Sequence, residues 1–416
     1  MPSPFIDPQF HGWRIVAFCF FSQFVSMGFS IYILGIYIQP MAAEFDVSPG
    51  KLGWGMAFFY LANSLVGPFV GNWVDRGRAR LVMPAGAMIF ALGFVALGLS
   101  NNLLVAALAC LLLLAPGACM LGVLPCATLL VQWFRRNQGL AVGIAAIGIS
   151  LGGFVMPPAA NLLMEQLGWR HSLIALGGVV AVLMLPLAWL TVIGKPADIE
   201  QHPDGDPPSA QALEAAESPS FRAAALLRQR TFWLLTCSVG LLSATSIVMV
   251  TFIVPYAIAT GISSANSAFL ISLYAGFAMV GKVAFGWAGD RGSRRKVMIA
   301  IQLCATFGWL LMVLLGGTLP MMASAALVGM AVGGMTPLWA GLIALYYGPQ
   351  AFGRVKGVMT LAMLGFLIVP GPLGGYLYDL TGSYASGFAI IWWALPVALL
   401  CTVLLPEKSA SQRTSA

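Results

Sequence analysis

Twelve apolar stretches, each about as long as the ~20 residues a helix needs to cross a bilayer, follow one another along this 416-residue chain with only short polar interruptions. They fall at about 13–38, 51–73, 81–99, 103–134, 139–164, 172–194, 231–256, 266–288, 296–317, 319–347, 354–378 and 386–405. Hydrocarbon offers no water to an unpaired backbone group, so each stretch must satisfy its own N–H and C=O groups, and a helix does so. The expected fold is therefore an all-α membrane protein of twelve transmembrane helices. Composition closes the soluble alternative. Only 8% of residues are charged and 59% are hydrophobic, whereas soluble domains carry about 25% charged residues. The first stretch is too long for a secretory h-region and lacks a basic n-region, so it is expected to stay in the mature protein.

Lys and Arg in the loops set orientation, the basic side being cytoplasmic. Assigning the 21 basic residues to alternate sides leaves Lys51 and Arg170 on one side and Lys282 inside a helix. The others share the side of both termini, which are therefore expected to be cytoplasmic, in an inner (cytoplasmic) or plasma membrane. The net charge of +7 then reports orientation. It is spread over several loops with no aromatic-interleaved patch, so no nucleic-acid partner is expected.

The segment 195–222 is long, polar and rich in Pro, Ala and acidic residues. It reads as a cytoplasmic linker between an N-terminal six-helix half, 1–194, and a C-terminal one, 223–416. Internal repetition supports the division. Residues 71–80, GNWVDRGRAR, match 286–295, GWAGDRGSRR, at an offset of 215, aligning Gly71 with Gly286 and Asp75 with Asp290. Glu165, Gly168 and Ser172 align with Asp379, Gly382 and Ser386 at 214, and Arg136 with Gly139 aligns with Arg354 and Gly357 at 218.

The motif GxxxDRGxxR, present twice after the second helix of each half, resembles that of the major facilitator superfamily. The resemblance implies two six-helix halves related by a pseudo-two-fold axis. It also implies a cytoplasmic gate in which the acidic residue pairs with an arginine ending the fourth helix. Asp75 with Arg135 or Arg136 fits that role, Asp290 with Arg354 is the counterpart, and Arg76 and Arg291 belong to the same motifs. The competing reading makes these charges positive-inside anchors only. WFRRNQGLAVGIAAIGISLGGFVMPP at 133–158, LGWRHSL at 167–173 and LRQRTFWLL at 227–235 are similar to bacterial members of the monocarboxylate transporter and oxalate/formate antiporter branch.

Ionisable groups inside a membrane cost about 2.5–3.5 kcal/mol each at a helix centre, and Lys282 is the one such candidate in the sequence. It sits about five residues from the end of the eighth predicted helix, with Tyr274 and Ala278 at steps of four on its face. The resemblance places a carboxylate-binding arginine at 282 and a proton-coupling aspartate at 278; here they are lysine and alanine. All 14 acidic residues fall in loops, termini or helix ends, so a lysine with no membrane carboxylate is expected to attract an anion. Tyr32, Tyr274 and Trp339 are grouped with Lys282 as the substrate-binding set. The alternative is that Lys282 snorkels to the interface.

The sequence thus points to a secondary active or facilitative transporter of small organic anions, monocarboxylates first, acting as a monomer in the lipid bilayer, with a coupled proton or an exchanged anion. An exporter of amphipathic or drug-like compounds and a transporter-like nutrient sensor are the alternatives. An enzyme is not expected, since no nucleophile, base and orienting group occur together. No GxxxxGK[ST] segment supports ATP-driven pumping. The seven cysteines lie inside helices without metal-ligand spacing, so neither a metal nor a cofactor is expected.

Overall fold

The computed structural model describes residues 10–34, 36–47, 49–205, 223–262, 264–315, 317–381 and 384–407. Most of the predicted linker, 206–222, lies outside them; within its first part Pro196–Ile199 and Pro203–Gly205 form single 3-10 turns. Among the described residues there is no β-strand.

Helices occupy all twelve predicted stretches. In chain order they are α1 (Gly12–Gly28), α2 (Ile38–Glu44), α3 (Pro49–Asp75), α4 (Ala79–Gly98), the helical stretch α5 (Leu103–Trp133) and α6 (Gln138–Val179). After a π-turn at Val180–Met184 come α7 (Leu185–Thr191), α8 (Ala223–Leu226), α9 (Arg230–Ala259), α10 (Ser264–Arg291), α11 (Arg294–Leu314) and α12 (Thr318–Tyr347). The last two stretches are divided, the eleventh into α13 (Phe352–Ala362), α14 (Leu364–Ile368) and α15 (Pro370–Thr381), the twelfth into α16 (Tyr384–Trp392) and α17 (Ala394–Val403). Seven helical stretches among the described residues are long and apolar enough to span a membrane unaided.

Local chemistry sets the ends and breaks. Gly77, at φ 81°, turns the chain between α3 and α4, and Gly168, at φ 73° and ψ 163°, interrupts the long helical run where the sequence places the fifth-to-sixth boundary. Both conformations suit a residue without Cβ. Asn102 caps α5 by accepting the Val105 N–H at 2.9 Å, and Ser293 does the same for Lys296 at the start of α11. The first predicted helix, drawn to residue 38, instead ends at Gly28 and continues as turns before α2. There the Ser30 hydroxyl bonds back to the Ser26 carbonyl, an alternative to the helical ladder that favours bending.

The chain divides into two compact units. The first comprises Met1–Arg136, Ile144–Pro219 and Tyr347–Leu361; the second comprises Asn137–Gly143, Ser220–Tyr346 and Ala362–Ala416. In the first, α1 lies against α5 through polar bonds in an apolar setting. Ser22 Oγ donates to Leu121 O at 2.6 Å and Ser26 Oγ to Ala118 O at 2.9 Å, carbonyls beside the break at Gly122 (ψ −152°). In the second, Gln302 Nε2 donates to Ser238 Oγ at 2.8 Å, and Ser238 bonds Thr402 Oγ1 at 2.6 Å. Such bonds hold helices together where apolar surface alone distinguishes poorly between neighbour and lipid.

Candidate functional site

The repeated motif builds the same device in each unit. In the first, the Asp75 carboxylate at the end of α3 accepts the N–H of Gly353 at 2.8 Å and of Arg354 at 2.7 Å. These are second and third residues of α13, whose N–H groups have no acceptor within the helix. In the second, Asp290 accepts the N–H of Gly139 at 2.7 Å and of Leu140 at 2.8 Å, the same two positions of α6. An anion on a helix N-terminus completes its hydrogen bonds and meets the positive end of its dipole.

The glycine four residues before each aspartate lets the backbones approach. A Cβ on Gly71 would lie 2.0 Å from Gly353 O, and one on Gly286 would lie 2.4 Å from Gly139 O. Any side chain there would push the partner helix beyond reach of the carboxylate. The repeated spacing G-x-x-x-D therefore encodes a close contact and, one turn later, a cap.

This arrangement corrects the partners read from sequence. Asp75 is held by backbone N–H groups of α13 and not by Arg135 or Arg136, whose own backbone N–H groups donate to Asp204 Oδ2 at 2.7 and 2.8 Å. Arg354 belongs with Asp75: its guanidinium donates to Asn72 Oδ1. Asp290, whose expected partner was Arg354, has beside its two N–H donors the guanidinium of Arg294 at 3.8 Å. Arg294 also donates to Gly341 O at 2.8 Å and to Gln138 Oε1 at 2.9 Å. The repeat register shifts as well. Gly139 is the equivalent of Gly353, at 214, and not of Gly357, at 218. Residues capped by a carboxylate need only an N–H, which no side-chain alignment reveals. Arg76 is exposed, and Arg291 stacks on Trp287 with its Cζ 4.2 Å from the ring centroid.

Lys282 is 5% exposed. α10 runs on to Arg291, three residues past its predicted end, so nine residues separate the lysine from that terminus, about 14 Å at 1.5 Å per residue. Its helix is fixed on two sides by backbone contact. A Cβ on Gly143 would meet Lys282 O at 2.3 Å, and one on Gly281 would meet Met330 O at 2.0 Å. Gly329 and Gly333 of α12 pack likewise on the carbonyls of Tyr274 and Ala278. Tyr274 OH shares a 2.6 Å hydrogen bond with Ser246 Oγ of α9, so this tyrosine is oriented from a second helix.

The other two members of the predicted set come from other elements. Trp339 is half-buried in α12, and its neighbour Leu338 packs on Gly289. That contact puts Trp339 near the level of Gly289, seven residues or about 10 Å beyond Lys282. Tyr32 belongs to the first unit, in the turns after α1, 40% exposed and with its ring against Gly153.

Two buried cations escaped the sequence reading: Arg294, 8% exposed beside Asp290, and Lys356. Lys356, counted there among cytoplasmic loop charges, is 3% exposed inside the first two turns of α13. Its Nζ lies 3.5 Å from Val123 O and 5.6 Å from the Phe352 ring centroid. Its place four residues after Phe352 was the available signal, masked by the basic neighbourhood of Arg354.

Apolar helices of spanning length, buried cations and paired helix caps describe a membrane transporter. A family profile for the Major Facilitator Superfamily matches residues 19–260 and again 236–416. Human monocarboxylate transporter 11 is 28% identical over 393 residues, covering 91% of this chain and 79% of that protein. An MFS-type transporter of Gibberella moniliformis is 26% identical over 407 residues, covering 96% and 90%. Among solved structures, the E. coli fucose:proton symporter FucP superposes with a TM-score of 0.72 at 15% identity, covering 96% of this chain and 98% of that one. The human organic anion transporter MFSD10 (TETRAN) gives 0.69 at 16% identity, covering 95% and 100%. The chain belongs to the major facilitator superfamily: it is an integral membrane transporter, not an enzyme, and has that superfamily's fold.

Proposed function

We propose that this protein is a secondary transporter of small organic anions, monocarboxylates first, working by alternating access between two six-helix halves, 1–194 and 223–416, joined by the linker 195–222. The observation that carries the reading is Lys282: a cation buried about 14 Å from the end of α10, on a helix whose position is fixed by glycine contacts on two sides. A lysine so placed supplies a charge-assisted donor for a carboxylate, as a single point rather than a planar fork. The relatives named monocarboxylate transporters support the same substrate class. Tyr274, oriented by Ser246, is a second donor on the same helix, and Tyr32 and Trp339 remain candidates for substrate contact. A coupled proton or an exchanged anion is the driving partner, in a monomer with both termini cytoplasmic.

Asp75 and Asp290, with Gly71 and Gly286, are the closing device of this cycle, and Arg76, Arg135, Arg136, Arg291 and Arg354 surround it. Each cap forms in one access state and breaks in the other.

The test is uptake of labelled lactate, pyruvate, formate, oxalate and aromatic acids by reconstituted protein, with and without a pH gradient. Lys282→Met is expected to abolish uptake while the protein still elutes as a folded species. Retained uptake would make Lys282 a helix anchor. Transport of lipophilic cations in place of the acids would favour an exporter of amphipathic compounds.

A further inference from the structure

The first unit carries a groove of about 610 Å³ to which transport assigns no role. One wall is Leu81, Pro84 and Met88 of α4, and the other is Leu185, Pro186 and Trp189 of α7. Both walls are apolar, and the groove is open: Leu81 is 63% exposed and Trp189 54%. In a membrane protein that surface faces acyl chains.

Two features narrow the occupant. The first is depth. The groove runs from the third to the tenth of the 20 residues of α4, about 10 Å, which lies within the ~15 Å that one leaflet contributes to the hydrocarbon core. It therefore opens to the lipids of one leaflet only. The second is charge. At the end where α4 begins, the Arg80 guanidinium stands over the Trp189 ring, 5.9 Å from its centroid. Arg80 makes no hydrogen bond or ion pair among the described residues. Arg78 and Lys195 are exposed at the same end, where a Cβ on Gly194 would meet Gly77 O at 2.5 Å. Of the carboxylates near that end, Asp198 accepts the Lys195 N–H at 3.0 Å as the cap of its own turn, and Asp75 is engaged by the N–H groups of Gly353 and Arg354.

We infer that the α4–α7 groove is a binding site for one anionic phospholipid of the adjacent leaflet, an acyl chain lying between Leu81 and Trp189 and the phosphate against Arg80. The ring beneath Arg80 fixes the guanidinium at the mouth of the groove, so headgroup and chain are read by adjoining surfaces. A zwitterionic lipid satisfies the groove but brings a cationic group to an already basic end.

Native mass spectrometry of the purified full chain, titrated with dioleoyl phosphatidylglycerol or dioleoyl phosphatidylcholine, tests this. The first phosphatidylglycerol is expected to bind about fivefold more tightly, the factor equivalent to ~1 kcal/mol for one basic residue at an anionic headgroup. Arg80→Gln, at an exposed side chain, is expected to erase the preference while leaving phosphatidylcholine binding. Ala85→Trp, which fills the groove floor, is expected to weaken both lipids. Equal affinity of the two lipids for the parent protein overturns the inference, as does a preference that survives Arg80→Gln. Displacement by soluble glycerol phosphate would show that the chain plays no part, and a dimer blocked by Ala85→Trp would give the groove to a second copy; either result also overturns it. Should Ala85→Trp fail to fold, the parent and Arg80→Gln titrations decide.

Discussion

Replacing Gly71 by alanine tests the helix-cap reading at its most exposed point. The new Cβ would stand 2.0 Å from Gly353 O, and ordinary contact begins near 3.4 Å, so α3 and the start of α13 must separate by about 1.4 Å. The Asp75 bonds to Gly353 and Arg354, now 2.8 and 2.7 Å, would then exceed 4 Å, beyond any hydrogen bond. Hydrogen bonds to a charged group contribute about 1.5–3 kcal/mol each, so losing two costs about 3–6 kcal/mol. At ~1.36 kcal/mol per factor of ten, even the lower figure predicts roughly 100-fold faster amide exchange at 353 and 354. Hydrogen–deuterium exchange mass spectrometry on peptides covering 349–362 reads this directly, because amides in the first turn have no helical acceptor. Asp75→Ala removes the acceptor without a clash and should give the same result. Gly55→Ala, on the same helix with nothing within 4 Å, should not. Unchanged exchange in both Gly71→Ala and Asp75→Ala, or an equal rise in Gly55→Ala, would refute the reasoning.

The duplicated device should respond in duplicate: Asp290→Ala is expected to accelerate exchange at Gly139 and Leu140 while leaving peptides around 353 unaffected. Lys356→Met is expected to leave folded protein and lower carboxylate uptake by about tenfold or more, the equivalent of one lost bond to a charged group; uptake within about twofold of the parent would assign Lys356 to packing alone. At the other end of the first unit, Glu44 accepts from the Arg170 guanidinium at 2.7 Å and from the Trp169 Nε1–H at 2.6 Å. The Arg170 guanidinium, with help from Trp169, holds the Glu44 carboxyl below its usual value of 4.5. A depressed carboxylate stabilises the fold above that value, and the contribution disappears as pH falls through the lower folded-state value. Thermal melts between about pH 7 and pH 3 should therefore show a steeper acid loss for the parent than for Glu44→Gln, and parallel curves would count against the clamp.

Much of this architecture was legible because hydrocarbon imposes one rule on every spanning segment. Apolar length locates the helices, and a described helix lies in each predicted stretch. Glycine and proline were less readable. Gly28 and Gly122 end or break helices that the apolar pattern carries straight through, because hydropathy records what faces lipid and is blind to a backbone turn. The motif residues were found, but their partners were not. Asp75 and Asp290 bind N–H groups, which every residue but proline possesses, so no side-chain pattern marks Gly353 or Leu140 as the recipient. Lys282 stood out because its neighbours are apolar. Lys356, two residues beyond Arg354, looks in sequence like one more interfacial charge, and only the course of α13 shows it buried.

Applying the offset of 215 to the contacts, and not only to the motif, explains why Lys282 sits where it does. Its equivalent in the first half is Gly67, and the residue it faces, Gly143, is the equivalent of Gly357, which lies 3.7 Å from the Cβ position of Gly67. The duplication thus gives each unit three successive turns of contact: the aspartate cap, a glycine pair, and a third, deeper pair. In the first unit that deeper pair is glycine with glycine, beside Lys356; in the second it is Lys282 with Gly143. Two such helices cannot part at the deepest turn while the outer two stay closed, since both are stiff rods joined at adjacent turns. On the proposed transport cycle, uncovering the lysine from that side would therefore require losing the Asp290 cap first, so that release of the carboxylate becomes a condition for access to the lysine.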